Sequence, residues 1–143
     1  RSFPPATREA LLAAHTPDYL DTLEQASLGM AAPSLSRYGL ASGDNPVFPG
    51  LWEYVLATAG GSLAGARALL DEGLQRAFHP GGGLHHALPA RASGFCYVND
   101  VVLAIRAMVA AGRRTLPSSP APWASPQSSG SARSPAKWSL ATL

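Results

Sequence analysis

Two histidines stand side by side, His85 and His86, directly behind the glycine run Gly81–Gly83 in the stretch HPGGGLHHALPARASGFCYVND over residues 79–100. Histidine is the side chain whose ordinary pKa, about 6.5, lies nearest neutrality. Two such rings on a loop braced by glycines could take and return a proton during a hydrolysis. Metal ligation is the second use of paired histidines. Ligands usually pair at i, i+2 on a strand or i, i+4 on a helix, so that both rings face one ion. Adjacent residues on an extended chain point apart. A plain surface or structural role is the third reading, and composition leaves all three open. The glycine run lacks the Lys-Ser/Thr of a phosphate-binding loop and does not match GxGxxG. Cys96 beside these histidines has the chemistry of a nucleophile. Its position between Phe95 and Tyr97 favours a buried, inert thiol.

These residues need elements to hold them. Thr16-Pro17-Asp18 combines a capping residue, a proline suited to the first helical position and an acid that complements the helix dipole. Tyr19, Leu20, Leu23 and Ala26 follow at helical spacing, and a shorter helix is expected before them, Arg8 to Ala14. Residues 29–50 are rich in Gly, Pro, Ser and Asn and read as a long loop, a kind of segment often functional in compact domains. A second long helix is predicted over Leu51 to Leu70, with Gly73 as its C-terminal cap. Gly60, Gly61 and Gly65 fall inside it, at about 1 kcal/mol each against alanine. Close approach of another backbone would offset that cost. A short extended piece is expected around Arg76 to Phe78. Asn99-Asp100 can cap a third helix, Val101 to Ala111, ending at Gly112, and its apolar composition on most faces predicts burial. Glycine loops alternating with apolar helices favour an α/β layer architecture.

Composition narrows the classes. The 143 residues carry a net charge of only +2, and the eleven basic residues, all arginine but Lys137, are scattered, so nucleic-acid binding is not expected. One cysteine excludes an intrachain disulfide. No apolar run has bilayer-spanning length, and no charged-then-apolar leader is visible. A cytoplasmic protein is expected. From Pro117 onward Ser, Pro and Ala dominate without periodicity. Such composition buries too little apolar surface to offset ordering entropy. The division is therefore 1–114 as the folded part and 115–143 as a tail expected to be disordered.

Three blocks together resemble the histone deacetylase superfamily, which includes bacterial acetoin-utilisation and acetylpolyamine amidohydrolase branches. They are HTPDYLDTL (15–23), GDNPVFPGLWEYVLATAGGSLAGA (43–66), and GGGLHHA (81–87) with SGFCYVNDVVLAI (93–105). The resemblance runs from roughly residue 5 to 114, and NPVFPG is worded more like the bacterial members. It implies a partial arginase/deacetylase-like α/β fold, a parallel sheet flanked by helices, incomplete in this chain. It also implies hydrolysis of acetyl-lysine or acetylpolyamine amides with Zn2+ as cofactor. Carried over by position, His85 and His86 match the tandem histidines that flank a zinc-bound water. His86 would be the general base and then acid, and His85 its electrostatic partner. Gly94 matches the glycine whose carbonyl meets the substrate amide. Phe95 matches one wall of the acyl-lysine tunnel. Asp44 matches the rim carboxylate that holds the substrate backbone.

The resemblance breaks off after Arg114. There the family has a strand with an Asp-x-His pair of metal ligands, a later ligand Asp and a catalytic Tyr. This chain instead reads TLPSSPAPWASPQ, with no acid after Asp100 and no histidine after His86. A shifted reading frame, an alternative exon or a truncated gene model would each produce such a switch. The expectation is an N-terminal deacetylase fragment, inactive and marginally stable by itself, with no metal ligands of its own. The alternative is a non-catalytic acyl-lysine-binding or interaction fragment.

Overall fold

The computed structural model describes residues 2–30 and 35–112. The tail assigned above to 115–143 lies outside the described residues. Four helices follow in chain order: α1 (Arg8–Leu11), α2 (Pro17–Ser27), α3 (Leu51–Asp71) and α4 (Asp100–Ala110). The first is shorter than the Arg8–Ala14 expected. Thr7 caps it by accepting the Ala10 amide, and the chain then turns tightly until His15 donates to the Leu11 carbonyl. Helix α2 starts where the Thr-Pro-Asp signal predicts. Thr16 caps it through extended backbone geometry and not through its hydroxyl, and Pro17 occupies the first position.

The stripe on α2 is the centre of the core. Tyr19, Leu20 and Leu23 are fully buried together with Leu11, Leu40, Leu51, Val55, Val98 and Leu103. Each such side chain contributes roughly 1.5–3 kcal/mol by leaving water. The long loop is fastened to this core and to the segment ahead of α4. Ala92 donates to the Tyr38 carbonyl at 2.8 Å, Tyr97 Oη to the Pro46 carbonyl at 2.5 Å, and Tyr19 Oη to the Tyr97 carbonyl at 2.6 Å. Burial pushes both phenols above their ordinary pKa, so they remain donors.

Two glycines in the middle of α3 explain themselves by contact. A methyl at Gly60 would sit 2.4 Å from the Pro4 carbonyl oxygen and 2.8 Å from the Ala6 nitrogen; one at Gly61 would sit 2.5 Å from the His79 ring. Residues 4–6 thus cross the helix where it has no side chains, as the glycine content predicts, and Ala6 donates to the Leu56 carbonyl there.

One expectation is met only in part, and another is corrected. Among the described residues no parallel sheet is seen; outside the helices there are the isolated bridges Leu88–Arg91 and Ser93–Cys96, and a single bridge position at Phe78, at the end of the short extended piece expected there. Helix α4 is also less buried than its composition predicts. Leu103 and Asp100 are covered, whereas Ile105 and Val109 are 45% and 54% exposed. Among the described residues the main helical neighbour of α4 is α3, and no strand layer lies beneath it. Its second apolar face therefore stays open.

Candidate active site: paired histidines on a glycine-braced turn

His85 and His86 fall on a turn and not on an extended segment. Adjacent side chains on extended backbone would diverge; here the two rings share one side, with centroids 4.2 Å apart and planes tilted by 38°. Both are exposed. The His85 ring is turned back on its own loop, its Nδ1 lying 2.9 Å from the Gly83 carbonyl oxygen. As the Nδ1–H tautomer it donates there and presents Nε2 outward.

The loop that carries them is held by one carboxylate. Asp100 accepts the Gly83 amide at 3.0 Å on Oδ2 and the Leu84 amide at 2.7 Å on Oδ1, and the Ser62 hydroxyl donates to Oδ2. This carboxylate is 1% exposed and occupies the first position of α4, where the helix dipole favours an anion. Gly82 passes directly over it. A methyl there would lie 2.6 Å from Asp100 Oδ2 and 2.8 Å from Ser62 Oγ. Asn99, not Asp100, caps α4, accepting the Val102 amide on its side chain at 3.0 Å. This division of labour was missed at the level of sequence, where Asn99-Asp100 reads as a single capping signal. The available clue is that one residue suffices for a cap, which leaves the other side chain unassigned.

The second wall comes from residues 93–96. Ser93 and Cys96 exchange two backbone hydrogen bonds, at 3.0 and 2.9 Å. The two residues between them have positive φ, Gly94 at 50° and Phe95 at 66°, as in the mirror-image turns of tight hairpins. Two consequences follow. Gly94 lies flat against His86, whose ring would be 3.2 Å from any added Cβ. Phe95 is driven outward and is 67% exposed, while Cys96 is buried with its thiol on the Gly94 carbonyl. Asp44 faces the same turn from the long loop. It lines a cleft of about 300 Å3 whose other wall includes Arg91, Ser93 and Gly94. All five site residues expected from the sequence thus surround one turn.

The donor set does not form a cation site. Among the described residues no three His, Cys, Asp or Glu side chains converge. The one buried carboxylate nearby, Asp100, is committed to loop amides and Ser62.

The histidine pair, the glycine turn and the cleft beside Asp44 thus lie together on one side of the chain. The chain matches the histone deacetylase domain family over residues 1–116, and it belongs to that family. It is 43% identical over 107 residues to a protein of Arabidopsis thaliana named histone deacetylase 6, covering 71% of this chain and 22% of that one. It is 40% identical over 104 residues to histone deacetylase RPD3 of Saccharomyces cerevisiae, with 71% and 24% covered. The acetoin utilization protein AcuC of Bacillus subtilis is 39% identical over 102 residues, with 71% and 26% covered. The chain thus spans about a quarter of the length of the curated relatives it matches. No described helix is long and apolar enough to cross a membrane.

Proposed function

We propose that residues 1–114 are the proton-handling and substrate-rim portion of a zinc-dependent deacetylase acting on acetyl-lysine or acetylpolyamine amides, in the cytoplasm, and that this chain alone does not turn over. The observation that carries the reading is the stacked pair His85–His86 set against Gly94, opposite the cleft lined by Asp44. In this reading His86 takes a proton from the attacking water and returns it to the leaving amine. His85, fixed on Gly83, tunes its charge. The Gly94 carbonyl receives the substrate amide, Phe95 flanks the acyl chain and Asp44 holds the substrate backbone. The arginase/deacetylase sheet belongs to the same reading.

Inactivity follows from the donors this chain lacks. No acid follows Asp100 and no histidine follows His86, so the paired imidazoles have no electrophilic half to work with. Incubation of the full chain with zinc and an acetyl-lysine peptide is expected to release no acetate above the blank. Turnover that His86→Ala abolishes would overturn the inactivity. Calorimetry with the same peptide tests the rim, where weak binding lost in Asp44→Ala is expected. No heat at millimolar peptide would remove the assignments of Asp44, Gly94 and Phe95.

A further inference from the structure

His15 sits outside the candidate site, at the end of the turn that follows α1, and is only 4% exposed. Its Nε2 accepts the Asn99 backbone amide at 3.0 Å, which requires the neutral imidazole with its proton on Nδ1. That Nδ1 is buried without a hydrogen bond of good geometry, facing the Leu88 and Pro89 carbonyls. Asn99 in turn uses its side-chain amide on the paired-histidine turn, donating to the His85 carbonyl at 3.1 Å and the Ala87 carbonyl at 3.0 Å. A parallel tie runs from the Thr16 amide to the Pro89 carbonyl at 2.9 Å. One imidazole thus fixes the one residue that grips the turn on both sides of His86.

We propose that His15 is a positioning residue for His85 and His86, acting through Asn99 and only as the neutral Nδ1–H tautomer. Protonation would place two donors, His15 Nε2–H and the Asn99 amide, against each other, and Asn99 would have to move with both carbonyls it holds. Burial favours the neutral state and lowers the pKa of His15 from its ordinary value. The titratable group that faces it is Tyr19, with ring centroids 5.6 Å apart; its phenol, raised by burial, stays uncharged. Asn99, Leu88 and Pro89, the other neighbours, do not titrate. What the turn does chemically rests on the deacetylase reading; the grip itself is measured without turnover, so the two can fail separately.

The test uses the full chain labelled with 15N. Imidazole correlations should show His15 as the Nδ1–H tautomer, and the Asn99 amide should titrate with the His15 midpoint, lowered from the ordinary histidine value. His15→Phe removes the acceptor at similar bulk. Amide exchange over Leu84–Ala87 should then quicken roughly tenfold, as for loss of one buried hydrogen bond, and the His86 ring resonances should move. His15→Gln can restore an acceptor near the Nε2 position. It should recover most of the protection while abolishing the low-pH titration at Asn99. An Nε2–H tautomer, unchanged exchange in His15→Phe, or equal loss in both variants would each overturn the proposal. If His15→Phe fails to fold, the tautomer and His15→Gln decide.

Discussion

Replacing Asp100 by alanine should unfasten the histidine loop and destabilise the whole chain. The carboxylate is buried, and it accepts from two loop amides and from Ser62. A hydrogen bond to a charged group contributes about 1.5–3 kcal/mol net, and a buried donor left without a partner costs a further 1–3 kcal/mol. The Gly83 and Leu84 amides sit on a partly exposed loop and can recover water, so the lower end applies. The expected loss is about 3–5 kcal/mol, a large part of the roughly 5–15 kcal/mol that holds a typical domain together. With a urea slope of about 1–3 kcal/mol per molar, the circular-dichroism midpoint should fall by about 2 M or the cooperative transition should vanish. Asp100→Asn keeps one acceptor and should lose about half as much. Ser62→Ala should cost about 1 kcal/mol in the parent and almost nothing in Asp100→Ala, because the two share one bond. A midpoint for Asp100→Ala within about 0.3 M of the parent, or equal Ser62→Ala costs in both backgrounds, would refute the reasoning.

Three further outcomes are expected. Gly60→Ala should lose about 1–3 kcal/mol in chemical denaturation despite the gain of about 1 kcal/mol in helix propensity, because its methyl meets the Pro4 carbonyl; a stabilised variant would contradict the contact. Phe95→Gly should leave the thermal midpoint unchanged or raise it, since the left-handed region costs a non-glycine residue about 1–2 kcal/mol and the side chain is mostly exposed; a marked fall would show that the ring stabilises the fold. Stability should decline as the pH drops below about 6.5, because unfolded His15 binds its proton there while folded His15, with its lowered pKa, resists it. His15's contribution is complete above that pH and is lost toward the folded-state pKa. His15→Gln should flatten this part of the curve, and an unaltered slope would contradict it.

Local signals carried most of the helical frame. Thr16-Pro17, Gly73 and Asn99 each mark an end because a cap, a fixed φ or a left-handed residue is needed there. The cost of glycine inside a helix predicted a crossing backbone, which is found at Gly60, whereas at Gly61 a side chain, the His79 ring, takes that place. The site residues became legible through a long composite resemblance and not through spacing; adjacency alone argued against the shared orientation that the turn at 85–86 creates. Asp100 and His15 were not legible as supports. Their partners lie 16–38 and 84 positions away in sequence, and a single chain carries no trace of such pairings. Helix α4 misled for a related reason. Apolar composition reports what a face prefers to touch, and the layer needed to satisfy Ile105 and Val109 is not among the described residues.

Phe3 meets the His79 ring edge-on at 5.6 Å, and that ring fills the notch at Gly61 and borders Gly81 and Gly82. The first few residues therefore act as a doorstop behind the histidine loop. A bulky group attached beside Phe3 would lever it off His79, and material made that way would report on a loosened loop; a label placed away from residues 2–4 avoids the artefact.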